Sequence, residues 1–259
     1  MTLDDLAERY RQDANLRDRS KAFWTHFRLA IADVRSQLGE KKVTAWTRED
    51  LVRYRAWQRQ QPKAATTNFH RMQIVDRLLL WAVRKTLLLR HPDILEQEPP
   101  EGGHYFVPTP EQMVQLLNAS DCSSWLGQRD RAMWEVLYGT GLRRSEMLRL
   151  NVEDYVSEEP SLWVRQGKGR KDRKQPVGPR LALCLEYYLA VVRPRLRPRP
   201  EEGALWTSVQ DGRRLSGNSL WQRLRNTTER VGFPQCCLHS IRHAFATHLL
   251  QGGAQLNEI

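Results

Sequence analysis

The sequence predicts a mainly α protein with one small β-hairpin, divided into a helical N-terminal domain and a larger α+β domain. Three observations predict this. Apolar residues recur at helical spacing through most of the first hundred positions. The run Glu98-Pro99-Pro100-Glu101-Gly102-Gly103-His104 then interrupts the pattern with prolines, glycines and charge. Beyond it helical segments resume, broken once by two short strand-like runs around a basic turn. The expected organisation is a helical domain over 1–97, a linker over 98–104 and an α+β domain over 105–259. A chain of 259 residues is long enough to give each part its own core.

The elements follow in order. Ser20 caps a helix whose apolar stripe is Phe23, Trp24, Phe27, Ala30, Ile31, Val34 and Leu38. Thr47-Arg48-Glu49-Asp50 resembles a capping box with Asp in place of Glu or Gln, opening a helix that buries Leu51, Tyr54 and Trp57. Thr66 or Thr67 opens a third, with Phe69, Ile74, Val75, Leu78, Leu79 and Ala82 inward. These aromatics read as core, and nothing in the segment reads as catalytic. In the second part, Thr109-Pro110-Glu111-Gln112 combines an N-cap, proline at the first helical position and glutamine three after the cap. Helices are expected over 128–138, stopped by Gly139 and Gly141, and over 144–150. Leu162–Arg165 and Gln175–Val177 form the hairpin, with Lys168 near its tip. A helix over 179–192 precedes Arg193-Pro194-Arg195-Leu196-Arg197-Pro198-Arg199-Pro200, which the prolines make an exposed basic loop. Helices over 216–231 and 239–250 complete the pattern, the last closed by Gly252-Gly253.

The net charge of +11 points to a polyanionic partner. Residues 161–200 hold eleven Lys or Arg against Asp172 and Glu186, which is +9 of the +11. Nucleic acid is a better account of that concentration than a merely solvated surface. No apolar run is long enough to span a bilayer and no signal-peptide core opens the chain, so the expected location is the cytoplasm. Cys122 and Cys184 are isolated and Cys236-Cys237 are adjacent, which is no secreted disulfide framework. Cys236, Cys237, His239 and His243 invite a zinc reading, but adjacent cysteines lack the spacing of paired ligands. Neither a metal nor an organic cofactor is expected.

The chemistry concentrates in cations from three segments. Arg143 lies in Gly139-Thr140-Gly141-Leu142-Arg143-Arg144-Ser145-Glu146, Lys168 in Gly167-Lys168-Gly169, and His239 with Arg242 in Leu238-His239-Ser240-Ile241-Arg242-His243. Spacing of three places His239 and Arg242 on one helix face. Guanidinium stays charged and its fork can give an oxyanion two parallel hydrogen bonds. Imidazole exchanges protons near neutrality, and a lysine can protonate a leaving oxygen. Singly, each residue has a bland surface or structural account. Together and in this order they fit a phosphodiester under attack.

That combination resembles the tyrosine recombinase family of phage-type integrases and Xer-type resolvases. The stretch Leu137–Leu150 resembles its first arginine box, with Arg143 on the catalytic arginine. Val164–Arg173 resembles the hairpin carrying the catalytic lysine, at Lys168. Leu238–Leu250 resembles the second box, with His239 and Arg242 on its histidine and second arginine. The resemblance implies that 1–97 is a helical core-binding domain and 105–259 a catalytic domain lacking its last segment. It implies strand exchange through a 3′-phosphotyrosine at an inverted-repeat core site on double-stranded DNA. A tetrameric synapse with other recombinase protomers is implied too, with no metal, cofactor or membrane. DNA contacts are expected from Arg165, Arg170, Lys171, Arg173, Lys174 and His243.

The family's nucleophilic tyrosine follows the second box after a further helix. Here Gln255-Leu256-Asn257-Glu258-Ile259 resembles the start of that helix, and none of the seven tyrosines stands in the right context. The expectation is a recombinase represented without its nucleophile. The alternative is a non-catalytic, site-specific DNA-binding protein or regulator derived from one. A tyrosine supplied by a neighbouring protomer and a relaxing enzyme of the topoisomerase IB kind are the weaker readings.

Overall fold

The computed structural model describes residues 1–13, 16, 19–39, 41–62, 64–92, 106–165 and 172–255. The chain divides into two compact units, Met1–Gly103 and His104–Ile259. The expected linker at 98–104 lies outside the described residues.

The first unit holds helices α1 (Leu3–Gln12), α2 (Lys21–Leu38), α3 (Arg48–Gln60) and α4 (Ala65–Arg84). The three expected helices form near their predicted starts, and α1 precedes them. It opens on a Thr2/Asp5 capping box and buries Leu3, Leu6, Ala7 and Tyr10. Tyr10 stacks on Phe27 at 5.2 Å between ring centroids and meets Trp81 edge-on at 5.1 Å. Asp50 performs the capping role that the box usually gives to Glu or Gln. It accepts from the Thr47 backbone N–H at 2.8 Å, and Lys41 and Arg53 pair with it at 2.5 and 2.6 Å. Burial alone would raise the Asp50 pKa; the bonds from Lys41, Thr47 and Arg53 outweigh it and hold the carboxyl well below its ordinary value.

The second unit is built from α5 (Pro110–Asn118), α6 (Trp125–Thr140), α7 (Arg144–Arg149), α8 (Pro179–Tyr187), α9 (Arg193–Arg195), α10 (Gly217–Arg230) and α11 (Leu238–Gln251). The cap at α5 is the one the sequence predicts: Thr109 and Gln112 exchange backbone-to-side-chain bonds. A three-stranded antiparallel sheet runs β1 (Tyr155–Val156), β2 (Ser161–Val164), β3 (Arg173–Pro176). Trp163 pairs with Lys174 and Val164 with Arg173. Helices α6 and α11 pack on each other within a core that includes Met133, Trp134, Leu137, Leu142, Met147, Leu162, Leu220, Ile241 and Ala244.

One expectation holds only in part. Arg195, Arg197 and Arg199 are exposed and residues 197–199 hold no regular element, as expected, but Arg193–Arg195 are helical. A π-turn over Tyr188–Val192 continues α8 and leads into the helical turn Arg193–Arg195, so Pro194 sits in the first turn of a new segment. A missing N–H costs little there. The Arg193 guanidinium donates to the carbonyls of Glu202 and Ala204, Arg199 donates to the Asp211 carbonyl, and Leu196 is buried. Arg193 and Arg199 fasten this surface crossing to the loop over 202–211.

Among the described residues no helix is long and apolar enough to cross a membrane. Nor does any cluster of three or more His, Cys, Asp or Glu there offer a metal site.

Candidate phosphate site

The site grows from the turn between α6 and α7. Gly141 ends α6 in the left-handed region, with φ +59°, where only glycine is unstrained. A Cβ there would lie 2.2 Å from the Phe245 ring of α11, so the missing side chain also admits that helix. The turned-out Gly141 carbonyl accepts a hydrogen bond from Arg242 Nη1, three residues before Phe245. Arg242 of α11 is thereby held at the turn that leads from α6 into α7.

Arg143 is the N-cap of α7. Its backbone N–H donates to Glu146 Oε2 and its Nη1 to Glu146 Oε1, both at 3.0 Å. Arg173 of β3 reaches the same carboxylate with two parallel bonds, Nη1 to Oε1 at 3.1 Å and Nη2 to Oε2 at 3.0 Å. The Glu146 side chain is 1% exposed, whereas those of Arg143 and Arg173 are 40% and 35% exposed. Burial pushes the Glu146 pKa up, but the bonds from Arg173 and Arg143 outweigh it and hold the value down at about 2. Partial burial lowers the Arg242 pKa first, and Arg143 lowers it further, with Arg173 adding a smaller push.

His239 stands exposed in the first turn of α11, beside His243 at 4.3 Å between ring centroids. The turn is fixed by Cys237, whose backbone N–H donates to the buried Ser240 hydroxyl at 3.2 Å. Desolvation, then the neighbouring His243, Arg242 and Arg143, hold the His239 pKa below its ordinary value. A neutral imidazole can take a proton at pH 7.

The structure therefore brings Arg143, His239 and Arg242 into one electrostatic neighbourhood. Lys168, Arg170 and Lys171 lie outside the described residues. Of the remaining residues named for DNA contact, His243 lies against His239, and the other three meet carboxylates. Arg165 pairs with Asp154 at 2.7 Å and Glu153 at 3.4 Å, Lys174 pairs with Glu159, and Arg173 belongs to Glu146. Those acids lie outside 161–200 except in space, so counting charge along the sequence overstates what the surface leaves open. The Lys174–Glu159 and Arg165–Glu153 pairs are exposed, weak and exchangeable for phosphate; Asp154 and Glu146 are buried carboxylates and a different case. Glu146 escaped the sequence reading as a site residue, although its position three after Arg143 at a helix start is capping-box spacing. The Gly141 carbonyl has no such signature.

Several tyrosine hydroxyls are engaged elsewhere. Tyr138 bonds His248 Nδ1 at 2.8 Å, Tyr155 donates to Glu186, Tyr187 to Gln128 and Tyr188 to the Leu205 carbonyl.

Residues 107–259 match the phage integrase family. Tyrosine recombinase XerD of Listeria monocytogenes is 30% identical over 236 residues, spanning 90% of this chain and 78% of that protein. Tyrosine recombinase XerC of Serratia marcescens is 33% identical over 224 residues, spanning 84% and 71%. Among solved structures, the Tn1549 transposon integrase in complex with circular intermediate DNA superposes with a TM-score of 0.83 at 16% identity, over 99% of this chain and 89% of that one. A lambda integrase tetramer bound to a Holliday junction gives 0.77 at 15% identity, over 100% and 76%. At such identities the structural likeness speaks for the fold.

Proposed function

Because this chain belongs to the phage integrase family of tyrosine recombinases, we propose that its second unit grips one phosphodiester of duplex DNA during site-specific strand exchange. Arg143 and Arg242 donate to the non-bridging oxygens. His239 exchanges the proton of the attacking or departing hydroxyl, and Lys168 protonates the leaving 5′-oxygen. The observation that carries the reading is the meeting of two segments: Arg242 bonds the Gly141 carbonyl beside Arg143, which Glu146 holds, and His239 of the same helix as Arg242 feels both guanidiniums. Duplex DNA with an inverted-repeat core and further protomers of the same kind are the partners this reading supplies. The solved neighbours act in such settings: one is bound to circular intermediate DNA, another is a tetramer on a Holliday junction.

The engaged tyrosine hydroxyls favour a second element of the reading: the nucleophile is none of Tyr138, Tyr155, Tyr187 or Tyr188. The test therefore uses the joining half-reaction, which needs no tyrosine. A duplex enriched from random sequence by binding is nicked, with a 3′-p-nitrophenyl phosphate facing a free 5′-hydroxyl. The 5′-oxygen attacks phosphorus, its proton passes to a base, and p-nitrophenolate leaves. The protein is expected to accelerate release by at least about 100-fold, and Arg242→Ala to abolish this while binding changes by less than about three-fold. Binding without any acceleration would replace the reading with a DNA-binding regulator. A protein–DNA adduct that survives denaturation, formed on a nicked suicide substrate and mapped by peptide mass to one of these four tyrosines, would overturn their exclusion.

A further inference from the structure

We propose that Arg173 is a positioning residue of the phosphate site, acting through Glu146 and not on DNA. The inference rests on the recombinase reading and adds a residue to it. Register makes the contact. Arg173 pairs with buried Val164, while its neighbour Lys174 pairs with half-exposed Trp163, so strand alternation turns Arg173 inward toward α7. There its fork occupies one direction on each Glu146 oxygen. Arg143 occupies the others with its backbone N–H and a single guanidinium nitrogen.

The electrostatic consequence follows from counting charges. Three guanidiniums against one carboxylate leave a net +2 beside the incoming phosphate. Without Arg173 the count falls to +1, and a buried anion stays behind that, among the described residues, Arg143 alone still hydrogen-bonds. Glu146 would then compete with the phosphate for the Arg143 fork. Arg173 thus keeps the carboxylate saturated, so that Arg143 can hold its position with one nitrogen and spend the others on substrate. A lysine could match the charge but not both oxygens, because ammonium is a point donor without a planar fork.

The joining assay on full-length protein separates this from its rivals. Arg173→Gln is expected to slow release by about 30-fold with DNA affinity within about three-fold of the parent. Adding Glu146→Gln to Arg173→Gln removes the uncompensated anion and should recover at least about ten-fold of that loss. Arg173→Lys should fall between parent and Arg173→Gln, and it carries the test should Arg173→Gln fail to fold. A direct contact with phosphate predicts no recovery in the double variant and a clear loss of affinity. A merely structural brace predicts losses that add. Either result overturns the proposal, as does an Arg173→Gln protein as fast as the parent. A parent that never accelerates release is a distinct outcome: it sinks the recombinase reading first, and this proposal with it.

Discussion

Replacing Glu146 by glutamine should cost the second unit stability in a way that depends on pH. Glutamine keeps the shape of the protonated acid, so the substitution isolates the charge. The carboxyl titrates at about 2 in the fold against an ordinary 4.5. A folded value below the unfolded one stabilises at every pH above the unfolded value, and the stabilisation is lost as pH falls toward the folded value. The full displacement corresponds to about 3 kcal/mol at pH 7. Both guanidinium partners are partly in water, and screening brings the expected loss to about 2–3 kcal/mol. For a unit of this size that is a fall in melting temperature of roughly 5–10 °C. Urea titrations of parent and Glu146→Gln should show the gap at pH 7 and see it shrink to less than half at pH 3. A gap that is constant between those pH values would mean that the loss comes from shape and not charge. A gap below about 0.5 kcal/mol at pH 7 would mean that the arginines do not depend on this carboxylate, and the account of the site would fail.

Further outcomes follow from the same geometry. Gly141→Ala should destabilise by about 2–4 kcal/mol, from left-handed strain plus the clash with Phe245. Adding Phe245→Ala should recover only the clash, and thermal melts that show full recovery would refute the strain. Arg193→Ala should lower the thermal midpoint while leaving the affinity of the folded protein for DNA and its salt dependence unchanged, since the side chain serves backbone carbonyls. A flattened salt dependence would restore it to the DNA-binding surface. NMR titration of His239 should give a midpoint below 6.5 in the free protein and a higher one with duplex bound, because phosphate opposes the nearby guanidiniums. A free-protein midpoint at or above 6.5 would place the arginines away from the ring.

How much of this was legible depended on range. The caps at Thr47/Asp50 and Thr109/Gln112 and the stop at Gly141 are local, and the sequence displays them because one turn of chain contains the whole interaction. Helix α1 carries a local signal of the same kind, since Leu3, Leu6, Ala7 and Tyr10 keep helical spacing behind a Thr2/Asp5 box. The two-residue strand β1 is too short to show any period. The helical turn at Arg193–Arg195 is not legible, because the π-turn that lets a proline follow a helix leaves no mark in composition. At the site, the two arginine boxes were readable as strings. Their mutual arrangement was not, since the Glu146–Arg173 pair joins positions 27 apart and the Arg242–Gly141 bond positions 101 apart.

Gly141 also has a meaning for protein engineering. The same residue ends one helix, seats the second arginine with its carbonyl and vacates the space that an aromatic ring fills. A chimera of two relatives with its crossover anywhere between positions 141 and 245 would take the socket from one parent and the plug from the other. Exchanges that carry both segments together should keep a working grip, whereas half-transfers should fold less well even when each half is sound in its own protein.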